Sequence, residues 1–290
     1  MNNTKQSFDD KWHKNRSLGL AQTIDPNSDI NQWILNRNGY SNMEEFGKFL
    51  TKKKRILDAG CGNGRVTAML RHLSDSEKTQ VVGIDLTSHD VAKDNLKEHK
   101  NVSFYDKNLL EDLSDLGKFD YIYCQEVLHH TGNARLGFDN LVNLLEIDGE
   151  LAIYVYKLKA PIREYTDDFI REKIKNLNYE ESMKVCDQLT MLGKTLSDLD
   201  IKINTPDVDI LQIKSGEYDL QRFIYHFFAK IFWNNEFSFH ENSVINYDWY
   251  HPQDCTRHTL EEVKSWFTEN HLSVTHEFED FYGITMSGKK

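Results

Sequence analysis

A glycine-rich loop between a short apolar segment and a helical pattern is the feature that most limits how this chain can fold. Residues 56–65 read Ile-Leu-Asp-Ala-Gly-Cys-Gly-Asn-Gly-Arg, so Gly60, Gly62 and Gly64 occupy alternate positions. Apolar residues then recur over 66–73 at the spacing of one helix face. Glycine lets the backbone turn sharply and approach a bound molecule closely. The segment therefore predicts a strand, a tight loop and a helix, with a ligand held at the loop.

The acidic residue before the glycines separates this loop from a dinucleotide-binding loop. The dinucleotide pattern is G-x-G-x-x-G, and it places a pyrophosphate at the N-terminus of the helix. The present pattern is D-x-G-x-G-x-G, with Asp58 in its first position. A carboxylate there repels a pyrophosphate and suits an amine-bearing or cationic ligand. A nicotinamide-dependent oxidoreductase is therefore an alternative that Asp58 argues against.

Strand and helix patterns alternate along residues 51–156, which indicates a parallel sheet with helices on both faces. Right-handed connections place the carboxyl ends of such strands along one edge, where ligands bind. The predicted strands end in polar residues at Asp58, Asp85, Asp106 and Gln125. We expect these side chains to converge at that edge.

The order of these segments resembles that of the class I S-adenosylmethionine (SAM)-dependent methyltransferases. The glycine loop is similar to motif I of that family, and Asp85 ends the predicted strand 81–85, where the family has its ribose-binding acid. Residues 106–109, Asp-Lys-Asn-Leu, stand where the family contacts adenine. The segment Val-Leu-His-His at 127–130 is common in the small-molecule branch of the family. The resemblance therefore implies a SAM-binding fold and a small-molecule acceptor.

The resemblance also implies an α/β fold with a doubly wound, mostly parallel seven-stranded sheet that ends in a C-terminal antiparallel hairpin. It covers residues 51–156 and 259–290, which form the expected SAM-binding core. Residues 1–50 are expected to form an N-terminal helical lid. Residues 157–258 are expected to form a helical cap, inserted after the fifth strand, that binds the acceptor.

The inserted segment carries helical patterns and many aromatic residues. Helices are predicted over 162–177, 180–192 and 220–233, and aromatic residues are dense within 218–250. Aromatic side chains dominate the packing of cores, so most of them are expected to hold the cap together. A homodimer contact through these residues is the alternative, and the oligomeric state stays open.

The last predicted helix starts at a capping box. Thr259 and Glu262 have the T-x-x-E spacing in which each side chain bonds to the backbone N–H of the other residue. His258 is expected to support this helix start. Residues 273–279 and 283–287 then predict the C-terminal pair of strands.

The resemblance assigns contacts with SAM to individual residues. Asp58 would attract the ammonium group, and Asp85 would accept hydrogen bonds from the ribose hydroxyls. Leu86 and Leu109 would enclose the adenine. Helix capping is the alternative for the two carboxylates, and core packing is the alternative for the N-terminal residues. The other residues expected at the cofactor are Gly60, Cys61, Gly62, Asn63, Gly64, Asp106, Lys107, Asn108, Gln125, Trp12 and Arg16.

His129 and His130 are the candidates for a general base, because they follow the fourth predicted strand. A sulfonium is already a good leaving group, so the enzyme needs mainly to align the nucleophile and to exclude water. A base is needed only when the acceptor atom carries a proton at neutral pH, and histidine has the suitable pKa. The alternative is that one histidine packs inside the protein while the other is solvated.

Predicted acceptor contacts fall on the fifth strand and around the inserted segment. Tyr154 and Tyr156 share one face of that strand, because side chains alternate along it. Arg163 would clamp an anionic group, with an ion pair to Glu164 or Asp167 as the alternative. The complete set is Tyr154, Tyr156, Lys157, Arg163, Tyr250, His251 and Arg257.

Composition limits the partners of the chain. The net charge of −11, from 35 basic and 46 acidic residues, repels a polyanion such as nucleic acid. The N-P-P-Y or D-P-P-Y sequence of nucleic-acid amino-methylating enzymes does not follow the fourth strand. No apolar run approaches the ~18 residues of a membrane span, and no signal-peptide core is expected. Four widely spaced cysteines favour a reducing cytoplasm, without a disulfide framework or a metal site.

These features predict an enzyme of the EC 2.1.1 type with SAM as cofactor and S-adenosylhomocysteine as product. Its reaction would move a methyl group to an oxygen or nitrogen atom of a small molecule, of the sugar or secondary-metabolite kind. A tRNA or protein methyltransferase is one alternative. A SAM-binding protein without catalysis is the other, because an intact glycine loop fits it equally well.

Overall fold

The computed structural model describes residues 3–290, which divide into two compact units. The sheet unit comprises Trp12–Lys157 and Thr256–Lys290, and it contains the glycine loop. The helical unit comprises residues 3–11 and Leu158–Cys255. The N-terminal segment that the sequence assigns to a lid is thus divided between the units, and its role as a lid stays a prediction.

Strands and helices alternate along the part of the chain that precedes the inserted segment, as predicted. Within residues 3–290 the strands are β1 (Arg55–Ala59), β2 (Gln80–Asp85), β3 (Val102–Asp106), β4 (Phe119–Gln125), β5 (Leu145–Tyr156), β6 (Lys202–Thr205), β7 (Gly216–Asp219), β8 (Ser273–Glu279) and β9 (Gly283–Lys289). The α-helices are α1 (Thr4–Lys14), α2 (Leu20–Ile24), α3 (Asp29–Arg37), α4 (Met43–Leu50), α5 (Arg65–Leu73), α6 (His89–Asn95), α7 (Ala134–Asn143), α8 (Pro161–Ile174), α9 (Tyr179–Asp198), α10 (Leu220–Phe227), α11 (Phe239–Tyr250) and α12 (Leu260–Glu269). None of the helices formed by the described residues combines the length and the apolar composition that a membrane crossing requires.

The sheet unit contains a seven-stranded sheet within the described residues, in the order β3-β2-β1-β4-β5-β9-β8. Strands β1 to β5 pair in parallel with one another, whereas β9 is antiparallel to both β5 and β8. The strand order reverses between β1 and β4, which is the kind of switch point at which open α/β sheets bind ligands. The predicted doubly wound, mostly parallel sheet with a C-terminal antiparallel hairpin is confirmed.

Neighbouring residues of β1 pack into different hydrophobic clusters, one on each face of the sheet. Leu57 belongs to a cluster with Phe138 of α7 and Phe267 of α12, whereas Ile56 belongs to a cluster with Met69 of α5. Because side chains alternate between the faces of a strand, helices cover both faces of the sheet. This burial leaves the carboxyl edge as the place where the strands can present polar groups to a ligand.

The helix predicted over 220–233 is too long, because α10 ends at Phe227. Past the last turn of α10, the backbone N–H groups of Phe232 and Asn234 bond to side chains of α11 rather than to a preceding helical turn. The N–H of Phe232 donates to Oδ1 of Asn246 at 2.9 Å, and Nδ2 of Asn246 donates to Oγ1 of Thr190 in α9 at 2.8 Å. These side chains satisfy an irregular backbone segment that a helical pattern alone does not reveal.

Most aromatic residues of the 218–250 segment are buried inside the helical unit, as expected. Those with the least exposure are Tyr225, Phe227, Trp233, Phe237, Tyr247, Trp249 and Tyr250. The ring of Tyr179 in α9 lies 5.0 Å from that of Tyr247 in α11 and packs edge to face against it. These side chains therefore form the core of the helical unit, and a homodimer contact through them stays a prediction.

The start of α12 has one half of the predicted capping box. The hydroxyl of Thr259 accepts a hydrogen bond from the N–H of Glu262 at 3.1 Å. The Glu262 carboxylate, however, bonds to Nδ1 of His258 at 2.9 Å. His258 therefore supports the helix start, as expected. Its bond to Glu262 replaces the second bond of the capping box, in which the Glu262 carboxylate would accept the N–H of Thr259.

Candidate functional site

The glycine loop is bonded to the end of β2. The backbone N–H groups of Gly60 and Cys61 donate to the carbonyl oxygen of Ile84 at 2.8 and 2.9 Å. Gly60, Gly62 and Gly64 have φ values of 85°, 55° and 86°, a region that favours glycine. The loop therefore turns at the carboxyl edge of the sheet, beside the point where the strand order reverses.

The missing side chains of Gly60 and Gly62 make room for other residues of the sheet unit. A Cβ atom on Gly60 would lie 2.3 Å from Cγ2 of Val127, and one on Gly62 would lie 2.8 Å from the indole of Trp12. Both distances are too short for real carbon contacts, so a side chain at either position would displace its neighbour. The structure thus places Trp12 directly on the loop, while its contact with the cofactor stays a prediction.

Asn63 points into the protein and holds the chain before the glycine loop. Its side chain is fully buried, and Nδ2 donates to the carbonyl oxygens of Arg16 and Leu18 at 3.1 and 2.9 Å. The Arg16 side chain pairs with Asp94 at 2.7 Å on the surface. Both side chains are therefore engaged within the sheet unit, and their contacts with the cofactor stay predictions.

The two carboxylate oxygens of Asp85, at the end of β2, have different surroundings. Oδ1 accepts hydrogen bonds from the N–H and hydroxyl groups of Thr87 and Ser88 at 2.9 to 3.1 Å. Oδ2 accepts the N–H of Gly62 at 3.0 Å. Protein donors thus saturate Oδ1, whereas Oδ2 keeps acceptor capacity for a ribose hydroxyl. The bonds to Ser88, the N-cap residue of α6, fix the turn that precedes this helix rather than capping its first turn.

Asp58 is buried near the end of β1, and only 3% of its surface is exposed. Its Oδ2 accepts the hydroxyl of Thr67 at 2.5 Å. Burial raises the pKa of Asp58 to about 7, Asp85 adds to the rise, and Thr67 and Arg65 oppose it. At neutral pH the carboxyl group is therefore divided between its charged and neutral forms. A cation beside it would hold it in the charged form.

Asp58→Asn should stabilise the protein at pH 8 and leave its stability unchanged near pH 4. Because the folded pKa of about 7 lies above the ordinary value of 3.8, the wild type loses stability as pH rises between these values. Asparagine removes this loss, which is on the order of 2–4 kcal/mol at pH 8, and keeps an oxygen for the hydroxyl of Thr67. Urea unfolding at both pH values measures the effect.

Asp75→Asn is the matched control for this experiment. The N–H of Glu77 is the main group that lowers the pKa of Asp75, so charge loss at Asp75 should destabilise the protein at pH 8. The two substitutions should therefore act in opposite directions. An Asp58 variant that is as stable as the wild type at both pH values would contradict the raised pKa.

The two leucines expected to enclose the adenine differ in exposure. Leu109 is 6% exposed and belongs to the main core cluster with Leu128 and Phe138. Leu86, directly after β2, is 37% exposed. Leu86 can therefore receive a flat apolar ring, whereas the side chain of Leu109 is part of the core.

The polar residues at the end of β3 lie beside the carboxylate of β2. Asp106 is paired with Asp85 in the register of the two strands and is exposed. Lys107 pairs with Asp115 at 2.6 Å, and Asn108 bonds within its own loop. The structure thus brings Asp106 to the expected edge, and contacts of these residues with adenine stay predictions.

The side chain of Gln125, at the end of β4, is held by two other residues. Its Oε1 accepts the hydroxyl of Tyr123 at 2.9 Å and Nδ2 of Asn38 at 3.1 Å, and its Nε2 donates to Oδ1 of Asn38. Asn38 is the C-cap residue of α3, so this amide pair joins α3 to the sheet. Gln125 therefore lies at the expected edge, but its side chain would have to break these bonds to contact a cofactor.

The ring of His129 stacks on that of Tyr156, with 3.7 Å between their centroids. Nδ1 of His129 accepts the backbone N–H of Tyr156 at 3.3 Å. In the neutral ring this bond places the proton on Nε2, so that Nε2 can donate but cannot accept. His130 is 8% exposed, and its ring lies 4.4 Å from that of His129. Both histidines are buried, so the alternative with one solvated ring is wrong.

Tyr154 and Tyr156 lie on the same face of β5, as predicted, and their ring centroids are 6.2 Å apart. Both side chains are buried. The guanidinium of Arg37 lies 4.4 Å from the ring of Tyr154. Lys157 pairs with Glu279 of β8 at 2.8 Å. The three predicted acceptor residues thus pack within the sheet unit, and their contact with an acceptor stays a prediction.

Glu126, which the sequence alone does not single out, lies between two arginines just after β4. It pairs with Arg65 at 2.8 Å and with Arg37 at 3.4 Å. Its φ of 67° is a conformation that residues with side chains rarely adopt. Such strain persists where the surrounding structure fixes it, often at functional sites. In the sequence, only its position directly after a strand could have marked Glu126 as a site residue. Its two arginine partners are too far away in the chain to be recognised from a local pattern.

The predicted acceptor residues of the helical unit bond within that unit. Arg163 is 1% exposed, and its Nε pairs with Asp167 at 3.1 Å, which confirms the ion-pair alternative. Tyr250 is fully buried, and its hydroxyl donates to Asp167 at 2.6 Å. One ring nitrogen of His251 bonds to the hydroxyl of Ser7 and the other to a backbone carbonyl. Tyr250 and His251 therefore stabilise the helical unit, and their acceptor contacts stay predictions.

Cys61 and Arg257 complete the predicted set. Cys61 is 5% exposed, and burial raises the pKa of its thiol well above the ordinary value, which keeps it uncharged. Arg257 is partly buried in the sheet unit. The predicted contacts of both residues stay predictions. Within residues 3–290, no group of three or more His, Cys, Asp or Glu side chains is arranged to hold a metal ion.

Comparison of the sequence with known families gives one match over most of the chain. The sequence model of a family described as a methyltransferase domain matches residues 50–217. That range includes the glycine loop and all of the parallel strands. The match therefore covers all of the candidate cofactor residues except Trp12 and Arg16.

Two relatives at 33–34% identity match shorter stretches. An uncharacterized protein of Synechococcus sp. is 34% identical over 107 residues, which are 36% of this chain and 26% of that protein. A ubiquinone biosynthesis O-methyltransferase of Glaesserella parasuis is 33% identical over 166 residues, which are 53% of this chain and 65% of that protein. The chain thus spans less than two thirds of the length of either relative.

A solved structure extends the likeness in fold. The protein PKMT2 from Rickettsia typhi, solved in complex with AdoHcy, superimposes with a TM-score of 0.52 at 18% identity. The likeness covers 83% of this chain and 48% of that chain. At this level of identity it concerns the fold alone.

Proposed function

Because the chain belongs to the methyltransferase-domain family of SAM-dependent enzymes, we propose that it transfers the methyl group of SAM to a small molecule. The observation that carries the proposal is the junction of the glycine loop with Asp85. The N–H of Gly62 bonds to Oδ2 of Asp85, and this oxygen keeps capacity for a ribose hydroxyl. Asp58 supplies a carboxylate that an ammonium group would hold in its charged form. The residues of the sheet unit therefore fit SAM, the cofactor of this family.

An oxygen or nitrogen atom of a sugar or secondary metabolite is the proposed acceptor. A relative that is 33% identical is named an O-methyltransferase of ubiquinone biosynthesis, which supports a small acceptor with a hydroxyl group. The net charge of −11 supports the same choice, because it repels nucleic acid on average. A tRNA acceptor is the weaker candidate for this reason, and a protein acceptor stays an alternative.

The proposed mechanism assigns positioning and proton removal to the paired histidines. SAM, when bound, supplies an electrophilic methyl group carried by a sulfonium. The protein then has to align the acceptor atom and exclude water. Because Nδ1 of His129 accepts a backbone N–H, its Nε2–H can orient an acceptor oxygen. Removal of a proton from the acceptor is assigned to His130, whose ring adjoins that of His129.

A cytoplasmic location is proposed on the state of the cysteines. Cys61, Cys124 and Cys186 are buried thiols. Burial raises the pKa of the Cys61 thiol well above the ordinary value. Because the thiolate is the form that is oxidised, this thiol should react slowly with oxidants. Thiols that stay reduced are typical of a reducing compartment.

Calorimetry and a turnover assay on the full-length protein test the proposed function. SAM and S-adenosylhomocysteine should bind, NAD should not, and S-adenosylhomocysteine should form with acceptors from a panel of small alcohols and amines. Binding of NAD without SAM would contradict the cofactor. SAM binding without turnover on the panel, on tRNA and on protein would favour a non-catalytic SAM-binding protein. Turnover on tRNA or protein alone would favour that alternative acceptor.

A further inference from the structure

Within residues 158–255, four buried cations surround the ring of Trp249. The ring centroid lies 5.1 Å from Nζ of Lys230 and 5.3 Å from the guanidinium carbon of Arg163. The guanidinium carbon of Arg171 lies 5.5 Å away, and Nζ of Lys159 lies 5.7 Å away. Each of the four residues is less than one tenth exposed. We name these four residues and the indole the Trp249 cluster.

The carboxylate beside this cluster, Asp167, is already saturated with hydrogen bonds. Its two oxygens accept from the side chains of Arg163, Trp249 and Tyr250 and from the N–H of Lys230. Asp167 brings one negative charge to the four cations of the cluster, and Asp248, which pairs with Lys11 at 3.0 Å, also acts on Lys230. Asp168, which pairs with Arg171, is 55% exposed, and contact with water weakens its effect on a buried charge.

Donor groups near the cluster lack acceptors of their own. Nε of Arg171 and Nη1 of Arg222 are buried and have no hydrogen-bond partner among residues 3–290. Nζ of Lys230 donates to the carbonyl oxygen of Ile245 at 3.0 Å, which is a neutral acceptor. Buried donors without a charged acceptor disfavour the folded state. An anion at this place would remove that cost.

Neighbouring cations contribute to the lowered pKa values of two buried groups, Lys230 and His226. Burial lowers the pKa of Lys230 to about 8; Asp248 opposes this decrease, and Arg163 adds to it. Burial lowers the pKa of His226 to about 3, and Arg163, Arg222 and Lys159 contribute. The guanidinium of Arg163 acts on both groups, so the positive potential extends from α8 to α10.

We propose that the Trp249 cluster binds an oxyanion, a phosphate or carboxylate group carried by a small molecule. The planar forks of the guanidinium groups match two oxygens of such a group, and the lysines supply point charges. Every residue of the cluster belongs to the helical unit. The site therefore shares no residue with those proposed for SAM, and it does not depend on the proposed function.

Thermal unfolding of the full-length protein in inorganic phosphate, in acetate and in chloride, at equal ionic strength, tests the proposal. Binding to the folded state should raise the unfolding temperature with the concentration of phosphate or acetate, beyond the effect of chloride. A response to phosphate alone identifies a phosphate group, and a response to acetate alone identifies a carboxylate. Equal unfolding temperatures in the three salts would overturn the proposal. Because phosphate also stabilises proteins by exclusion from their surface, variants have to confirm the site.

Lys230→Met separates binding from folding. A lysine whose folded pKa is lowered destabilises the protein below that pKa, so its removal should raise the unfolding temperature in chloride at pH 7. The apparent affinity for the oxyanion should fall about tenfold, because one charge-assisted contact is lost. A purely structural lysine would instead lower the unfolding temperature when replaced.

Lys202→Met is the matched control, because Lys202 lies in the helical unit and its side chain is 67% exposed. It should keep the wild-type response to phosphate and acetate. If Lys230→Met fails to fold, Arg163→Lys keeps the charge, loses the planar fork and should still weaken the response. Variants of the cluster that respond to the oxyanion as strongly as Lys202→Met would refute the site.

Discussion

Asp85→Ala is expected to weaken the binding of SAM by about 10- to 100-fold. A hydrogen bond to a charged group contributes about 1.5–3 kcal/mol, and each 1.4 kcal/mol is a factor of ten in affinity. The substitution removes the proposed ribose acceptor at Oδ2 and also the acceptor for the N–H of Gly62. It further removes the acceptors for Thr87 and Ser88, so the loop should lose its fixed conformation. Calorimetric titration with S-adenosylhomocysteine measures the loss.

Two variants separate the ribose contact from the support of the loop. Asp85→Asn keeps an oxygen that can accept the loop N–H groups, so it should retain most of the stability while binding SAM more weakly than the wild type. Glu98→Ala removes an exposed acidic residue of the same unit and should bind SAM like the wild type. Undiminished affinity in Asp85→Ala would contradict the ribose assignment.

Glu126→Ala is expected to destabilise the protein by about 2–4 kcal/mol, because it leaves a buried cation without its carboxylate. Arg37 is 1% exposed, and its guanidinium lies 3.4 Å from Glu126. The pKa of Arg37 is raised above its ordinary value: burial opposes the rise, and Glu126 is the largest of the groups that cause it. The contacts of Arg37 with the rings of Trp33 and Tyr154 remain in the variant and limit the loss. Urea unfolding gives the change in free energy.

Two further substitutions at Glu126 separate the loss of stability that comes from the missing charge from the strain of the backbone conformation. Glu126→Gln keeps the shape and the hydrogen-bonding oxygen but not the charge, so its cost should lie between those of alanine and the wild type. Glu126→Gly relieves the φ of 67° and should be about 1 kcal/mol more stable than the alanine variant. An alanine variant as stable as the wild type would show that the arginines do not need this carboxylate.

The convergence of Asp58, Asp85 and Asp106 was predictable, because parallel strands of one sheet end at one edge. The register joins Asp85 to Asp106, and Asp58 lies on the strand between β2 and β4. The doubly wound, mostly parallel sheet with its C-terminal antiparallel hairpin followed from the resemblance to a known family. Neither inference required knowledge of a side-chain contact.

The roles of individual glycines were only partly predictable. The sequence indicates a tight loop, and the positive φ values confirm the turn. The space at Gly60 is nevertheless taken by Val127, and that at Gly62 by Trp12. These neighbours come from segments far along the chain, so a local pattern cannot identify them.

Hydrogen bonding decided which candidate side chains are available. Gln125 is held by Asn38, and Nδ1 of His129 is held by the backbone of Tyr156. Arg163 and Asp167 have the spacing of one helix turn, so their ion pair was open to prediction. The helix over 220–233 was predicted too long for a related reason. The side chain of Asn246, in a later helix, accepts the backbone N–H of Phe232, which would otherwise bond within the helix.

The resemblance to a known family indicated the kind of cofactor. The sequence by itself determined the class of fold and the order of loop, strands and acidic strand ends. These properties depend on local spacing, because the periods of helices and strands and the turn-forming glycines are written into short segments. Tertiary structure alone decided the strained Glu126 between Arg37 and Arg65, the open oxygen of Asp85 and the buried cations around Trp249. Each of these depends on contacts between distant segments, where burial and the hydrogen bonds of neighbours determine the charge and availability of a group.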